Sequence, residues 1–210
     1  MATKQTHSTS GHMVLPTNQM QYRTIDISPS DTNKRLQSEK YVEGMATTFD
    51  EPYLLYEWDG NKYYENIDKN ALSGADMSDV IFQYNHGGKV LARVSNNTLL
   101  LDVTEKGLVV AADLSKSKQA REMYHEINAG LVTKMSIGFT VAESSYNQET
   151  RTRTIRKIKR VYDVSGVSHP ANPNTEIEAR NAFFNQVIQQ EKRAKQLALL
   201  QLKTKLAKDA

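Results

Sequence analysis

The chain has no cysteine in its 210 residues. That single absence excludes disulfides, thiolate metal sites and a cysteine nucleophile. A strong charge of one sign is also missing. The 27 Lys and Arg residues stand against 24 Asp and Glu, a net charge of +3, and no basic stripe interleaved with aromatics is present, so no nucleic-acid partner is expected. No stretch is long and apolar enough to cross a bilayer. The opening MATKQTHSTSGHMVLPTNQMQYR lacks the apolar core of a signal peptide. A soluble protein with no membrane partner, not exported by that route, is the expectation.

Several motifs are absent too. There is no P-loop and no dinucleotide-binding glycine fingerprint, which argues against a nucleotide enzyme. His125-Glu126 begins a run resembling H-E-x-x-H, but Ala129 stands at the second histidine position, so neither metal nor cofactor is expected. Ser136 is not in a G-x-S-x-G elbow, because Lys134 occupies the first glycine position, and this excludes the α/β-hydrolase reading.

What is present suits one globular domain with appendages: 39% hydrophobic and 24% charged residues. Residues 1–38 are rich in Thr, Ser, Gln, Asn and Lys without sustained periodicity, and are expected as a mobile arm. The domain is expected over 39–177. YVEGMATTF, YLLYEW and KYYENI read as strands, with a turn at Asp59-Gly60. In DVIFQYNHGGKVLARV two apolar runs flank Gly87-Gly88, which predicts a hairpin turning there. TLLLDVTEKGLVVAADL repeats the pattern around Glu105-Lys106-Gly107. In SKSKQAREMYHEINAG, Ala120, Met123, Tyr124 and Ile127 recur at helical spacing, with Ser115 able to cap the start and Gly130 able to end it. LVTKMSIGFTV, TRTIRKIKRV and VYDVSGV return to strands, with RTRTIRKIK expected to keep one face in water. Short strands plus an inserted helix favour a β-barrel or sandwich, a mainly β fold with helices (α+β). From Glu178 to Ala210 no Gly or Pro interrupts a run of helix formers. A long basic amphipathic helix is expected, packing through Phe183, Phe184, Val187 and Ile188, with its Leu-rich end free for a partner.

Histidine is scarce enough to weigh one by one. His7 and His12 lie in the arm, and His125 falls between the apolar positions of its helix. His169 precedes a proline. His86 ends an apolar strand just before a glycine turn, where it is either a turn residue or a general base. Ser136, in MSIGF, alternates with the core positions Met135, Ile137 and Phe139 and is either a solvated strand residue or a nucleophile. Gly138, on its face, leaves room for a substrate backbone. In VYDVSGVSHP, strict alternation puts Val161, Asp163, Ser165 and Val167 on one face. Asp163 there needs a partner, either an upstream basic residue or a histidine that it orients.

YVEGMATTF, ENIDKNAL, DVIFQYNHGGKVLARVSNNTLLLDVTEKGLVVAADL, REMYHEINAGLVTKMSIGF and VYDVSGVSHPANPNTEIEAR resemble, in this order, the prohead maturation serine proteases of tailed phages. The resemblance runs from about Lys40 to Arg180. The Asn-His before the hairpin, the Met-Ser-x-Gly-Phe strand and the Val-Ser-x-Val-x-x-Pro-Ala stretch are its most specific parts.

That family is similar to the herpesvirus assemblins, which implies a closed β-barrel surrounded by helices. It also implies a serine endopeptidase that cleaves capsid or scaffold protein during prohead maturation in the host cytoplasm, with its own chain as a further candidate substrate. Carried over, His86 matches the general base and Ser136 the nucleophile. Asp163 falls where the family has an acidic residue, more often glutamate, and Gly87 replaces a frequent aspartate. Ser165 and His169 remain alternatives for the third member, and the loop at Ala171-Asn172 is expected to help bind the oxyanion. The resemblance implies capsid and scaffold proteins as partners and a homo-oligomer, a dimer by analogy with assemblins. The competing reading is a non-enzymatic assembly or scaffolding factor that uses its arm and basic helix.

Overall fold

A computed structural model of the chain describes residues 21–29, 34–58, 60–168 and 177–208. Ten strands run in the order β1 Gln21–Pro29, β2 Tyr41–Thr48, β3 Tyr53–Trp58, β4 Asn61–Ile67, β5 Ile81–Tyr84, β6 Gly87–Arg93, β7 Leu99–Val103, β8 Gly107–Asp113, β9 Lys134–Asn147 and β10 Thr152–Val167. Helix α1 (Lys118–Asn128) precedes β9, and α2 (Ile177–Lys208) ends the chain. Mainly β with two helices is therefore the fold.

The strands hydrogen-bond in the order β3-β4-β10-β9-β1-β2-β8-β7. This path has two ends, β3 and β7, and it does not close on itself, so the expected closed barrel is not what forms. The central spine is the β9–β10 hairpin, antiparallel from Lys134–Val167 to Asn147–Thr152. The other edge of β10 takes two parallel partners in succession: β4 along Thr152–Ile155 and β5 along Asp163–Gly166. That second pairing brings the β5–β6 hairpin to the carboxyl end of β10. β1, inside the stretch expected as an unstructured arm, pairs with β9 and then with β2.

In the larger of two core clusters, Met135, Ile137, Phe139 and Val141 of β9 meet Ile155, Ile158, Val161 and Val164 of β10. Ala120, Met123 and Ile127 of α1 join it at helical spacing. The N-cap of α1 is Ser117, whose hydroxyl accepts from the Ala120 N–H, and not Ser115. Gly130, at φ +73°, supplies the left-handed residue just past the helix, as expected.

Two sequence expectations about β10 change. TRTIRKIKRV and VYDVSGV form one 16-residue strand, and register shifts between Ile155 and Lys157 and between Ile158 and Arg160 break the alternation. Arg153, expected among the solvated basic residues, is fully buried, with Nη1 3.2 Å from Glu65 of β4 and Nε donating to Ser144 of β9 at 3.3 Å. Against this end of the spine lies α2: Val187 and Ile188 pack with Tyr63 of β4. The Tyr63 hydroxyl donates to Glu191 at 3.2 Å, and Lys192 lies over the Trp58 ring. The side chains of Phe183 and Phe184 lie outside the described residues.

Candidate active site

The β5–β6 hairpin turns on Asn85-His86, two residues ahead of the Gly87-Gly88 turn that composition predicts. Tyr84 pairs directly with Gly87, and both intervening residues have positive φ, 46° for Asn85 and 54° for His86. Two left-handed central residues are what a tight hairpin turn needs for its twist to match that of its strands, and Asn and His tolerate that region better than most residues. Gly87 opens β6, and only Gly88 of the glycine pair takes positive φ.

The turn is tethered to the end of β10. The Asn85 N–H donates to the Gly166 carbonyl at 3.0 Å, and the His86 N–H donates to Ser165 Oγ at 3.2 Å. The Asn85 carboxamide oxygen accepts from the Ser168 N–H at 3.3 Å. His86 Nδ1 and Asp163 Oδ1 lie 2.6 Å apart, with the two side chains only 11% and 6% exposed. A carboxylate can only accept, so Nδ1 carries the proton. Any proton transfer to or from a substrate group therefore runs through Nε2. Asp163 Oδ1 also accepts from the Ser165 hydroxyl at 2.8 Å. Among the described residues its partners are thus a histidine and a serine, and none of the basic residues upstream.

A bulge puts Asp163 there. Val161 lies opposite Phe139, whereas Asp163 lies opposite Gly138, so Tyr162 is an extra residue in β10. Strict alternation would leave Asp163 on the core face with Val161. The extra residue turns it to the other face, and core packing resumes at Val164 opposite Ile137. Ser165 falls directly across from Ser136, so Ser136 and Gly138 of β9 and Ser165 and Asp163 of β10 make one patch on one face of the spine. Cross-strand neighbours of this kind have Cβ atoms about 4.5–5.5 Å apart.

Ser136 is not the solvated residue that an outward strand face predicts: it is fully buried, in a run of buried residues from Met135 to Val141. Its Oγ has no hydrogen-bond partner among the described residues. The two facing serines therefore differ. Ser165 Oγ is engaged by both Asp163 and the His86 N–H, while the Ser136 hydroxyl makes no competing bond. His125 is exposed on α1 with its ring edge-on to Tyr124. His7, His12, His169 and the Ala171-Asn172 loop lie outside the described residues.

A buried acid bonded to one imidazole nitrogen, with an unengaged serine hydroxyl on the same sheet face, is the set of groups that acyl transfer through a serine uses. A family model described as caudovirus prohead serine protease matches residues 27–190. The chain belongs to that family. No curated protein and no solved structure matches it. It is a member of a family of phage serine proteases of capsid maturation, which act within the prohead in the host cell. Among the described residues no helix is long and apolar enough to cross a membrane.

What sequence reading missed was Ser165 as a partner of both His86 and Asp163. The available signal was its i+2 spacing from the acid, which puts two polar side chains on one face of the segment VYDVSGV between Val161 and Val167.

Proposed function

We propose that this chain is the endopeptidase that cleaves the capsid or scaffold protein of its phage, with Ser136 as nucleophile, His86 as general base and Asp163 as the acid that holds the imidazole. The observation that carries the reading is the 2.6 Å contact between His86 Nδ1 and Asp163 Oδ1, with the unengaged hydroxyl of Ser136 on the same sheet face as Asp163. His86 removes the Ser136 proton as Oγ attacks the scissile carbonyl, then gives it to the leaving amine. Asp163 stays ionised and stabilises the imidazolium. Because Ser136 is fully buried, substrate entry requires local opening over this face.

The catalytic unit takes in β1 as well as 39–177, and 178–210 is the helical appendage. The distal part of α2 exposes Leu197, Leu199, Leu200 and Leu202. Residues 192–208 carry basic but no acidic side chains. Like charge disfavours pairing with a second copy of this helix, and an acidic helix of the scaffold or coat protein suits it.

The test is co-expression of the neighbouring capsid precursor with the wild type, Ser136→Ala or His86→Ala, followed by intact-mass analysis. Shortening with the wild type alone is expected. Shortening with Ser136→Ala would refute the nucleophile, and a full-length precursor with all three would favour the scaffolding role.

A further inference from the structure

We infer that Ser165 is a positioning residue that locks the His86-bearing turn onto the acid, an inference that rests on the catalytic reading above. Four groups form a closed ring. The His86 N–H donates to Ser165 Oγ at 3.2 Å, and the Ser165 hydroxyl donates to Asp163 Oδ1 at 2.8 Å. The same Oδ1 accepts from His86 Nδ1 at 2.6 Å. His86 is thus gripped at its backbone and at its ring by two residues of one strand that are two positions apart.

The ring answers a need of the turn. As a central residue of a two-residue hairpin, His86 has a backbone N–H that the strand ladder does not use, and a buried donor without a partner is costly. Ser165 is fully buried, so the serine that satisfies this donor also spends its only proton on the carboxylate. The imidazole hangs from a two-residue turn, a place where small backbone rotations would swing the ring. Anchoring the backbone to Ser165 fixes the ring's distance from the acid and from Ser136, which lies across the ladder from Ser165. Small displacements of a base cost rate steeply.

The experiment uses full-length protein and a fluorophosphonate probe, whose phosphorus bonds Ser136 Oγ as fluoride leaves and the hydroxyl proton passes to His86. The second-order labelling rate is measured for wild type, Ser165→Ala, Ser165→Thr, Asp163→Ala and the double variant Asp163→Ala/Ser165→Ala. Urea unfolding is followed for each, and the labelled residue is mapped by peptide mass. Ser165→Ala is expected to label about ten- to a hundredfold more slowly, with Ser165→Thr, which keeps the hydroxyl, recovering most of the rate. The double variant should lose less than the product of the two single losses, because part of what Ser165 does runs through the His86–Asp163 unit.

A wild-type rate in Ser165→Ala, or rate losses that multiply in the double variant, would overturn the inference and leave the catalytic reading standing. Wild-type protein unlabelled at Ser136 would instead overturn that reading and this inference together. Should the alanine variant not fold, Ser165→Cys, close in volume and a weak donor, carries the same comparison: slow labelling is expected, and a wild-type rate overturns it.

Discussion

Replacing Asp163 with asparagine keeps the shape of the side chain and removes its charge. Its Oδ1 receives His86 Nδ1 at 2.6 Å and the Ser165 hydroxyl at 2.8 Å, and the His86–Asp163 pair is nearly dry at 11% and 6% exposure. When His86 takes the serine proton, an imidazolium forms about 4 Å, centre to centre, from the carboxylate charge. At an effective dielectric of about 20 that attraction amounts to about 4 kcal/mol, or about a thousandfold in rate. The amide adds a second loss. If its NH2 group turns toward the imidazole, the proton moves from Nδ1 to Nε2 and the base can no longer accept from serine, an effect on the order of 10⁴ where an orienting acid has been neutralised. Asp163→Asn should therefore label with the fluorophosphonate about 10³- to 10⁴-fold more slowly. Its urea midpoint should stay near that of wild type, because the amide is isosteric with the carboxylate and the Ser165 hydroxyl can bond either its oxygen or its NH2 group. A folded Asp163→Asn protein labelled within about tenfold of wild type would refute the argument, since no ionised acid would then be holding the base.

Two further predictions concern stability. Arg153 and Glu65 are both fully buried and 3.2 Å apart, so Arg153→Met should leave a buried carboxylate uncompensated and cost about 3–5 kcal/mol. At about 2–4 °C per kcal/mol for a protein of this size, calorimetry should show the Tm falling by roughly 6–20 °C, and a fall under about 2 °C would show that the pair is not coupled as drawn. Burial pushes the Asp113 carboxyl up, but hydrogen bonds from Ser38 and Ser115, with Lys116 at 3.1 Å, outweigh it and hold the carboxyl below its ordinary value. A group lowered in this way adds stability above its unfolded pKa and loses it as the pH falls through the folded one. Acid unfolding should accordingly be less steep in Ser38→Ala than in wild type, and identical pH profiles would count against the Ser38 bond.

Much of the strand and helix inventory was legible along the chain. β2, β3, β5–β8 and α1 fall where apolar alternation or helical spacing indicates, because each buries a single face with the period of its own backbone. His86, Ser136 and Asp163 were nameable as candidates, and the family followed from the segments around them. β1 was not legible in a polar stretch, since its pairing with β9 and β2 depends on neighbours far along the chain. The hairpin turn was misplaced because glycine composition pointed to Gly87-Gly88, whereas Asn85 and His86 take the left-handed conformation and are tied to β10 there. Arg153 read as a solvated basic residue until Glu65, 88 positions away in the chain, faced it from the adjacent strand.

The sequence by itself determined the chemistry available: no thiol, few histidines, a serine in an apolar strand, and an acid that needs a partner. Only the tertiary structure decided which groups meet. The deciding feature is the extra residue at Tyr162. It breaks the two-residue period of β10, so that Val161 stays with Phe139 in the core while Asp163 turns to the face of Ser136. A local pattern cannot encode that turn, because a bulge exists only relative to the strand it faces. Here the register of β9 on one edge and the docking of β5 on the other determine where it falls.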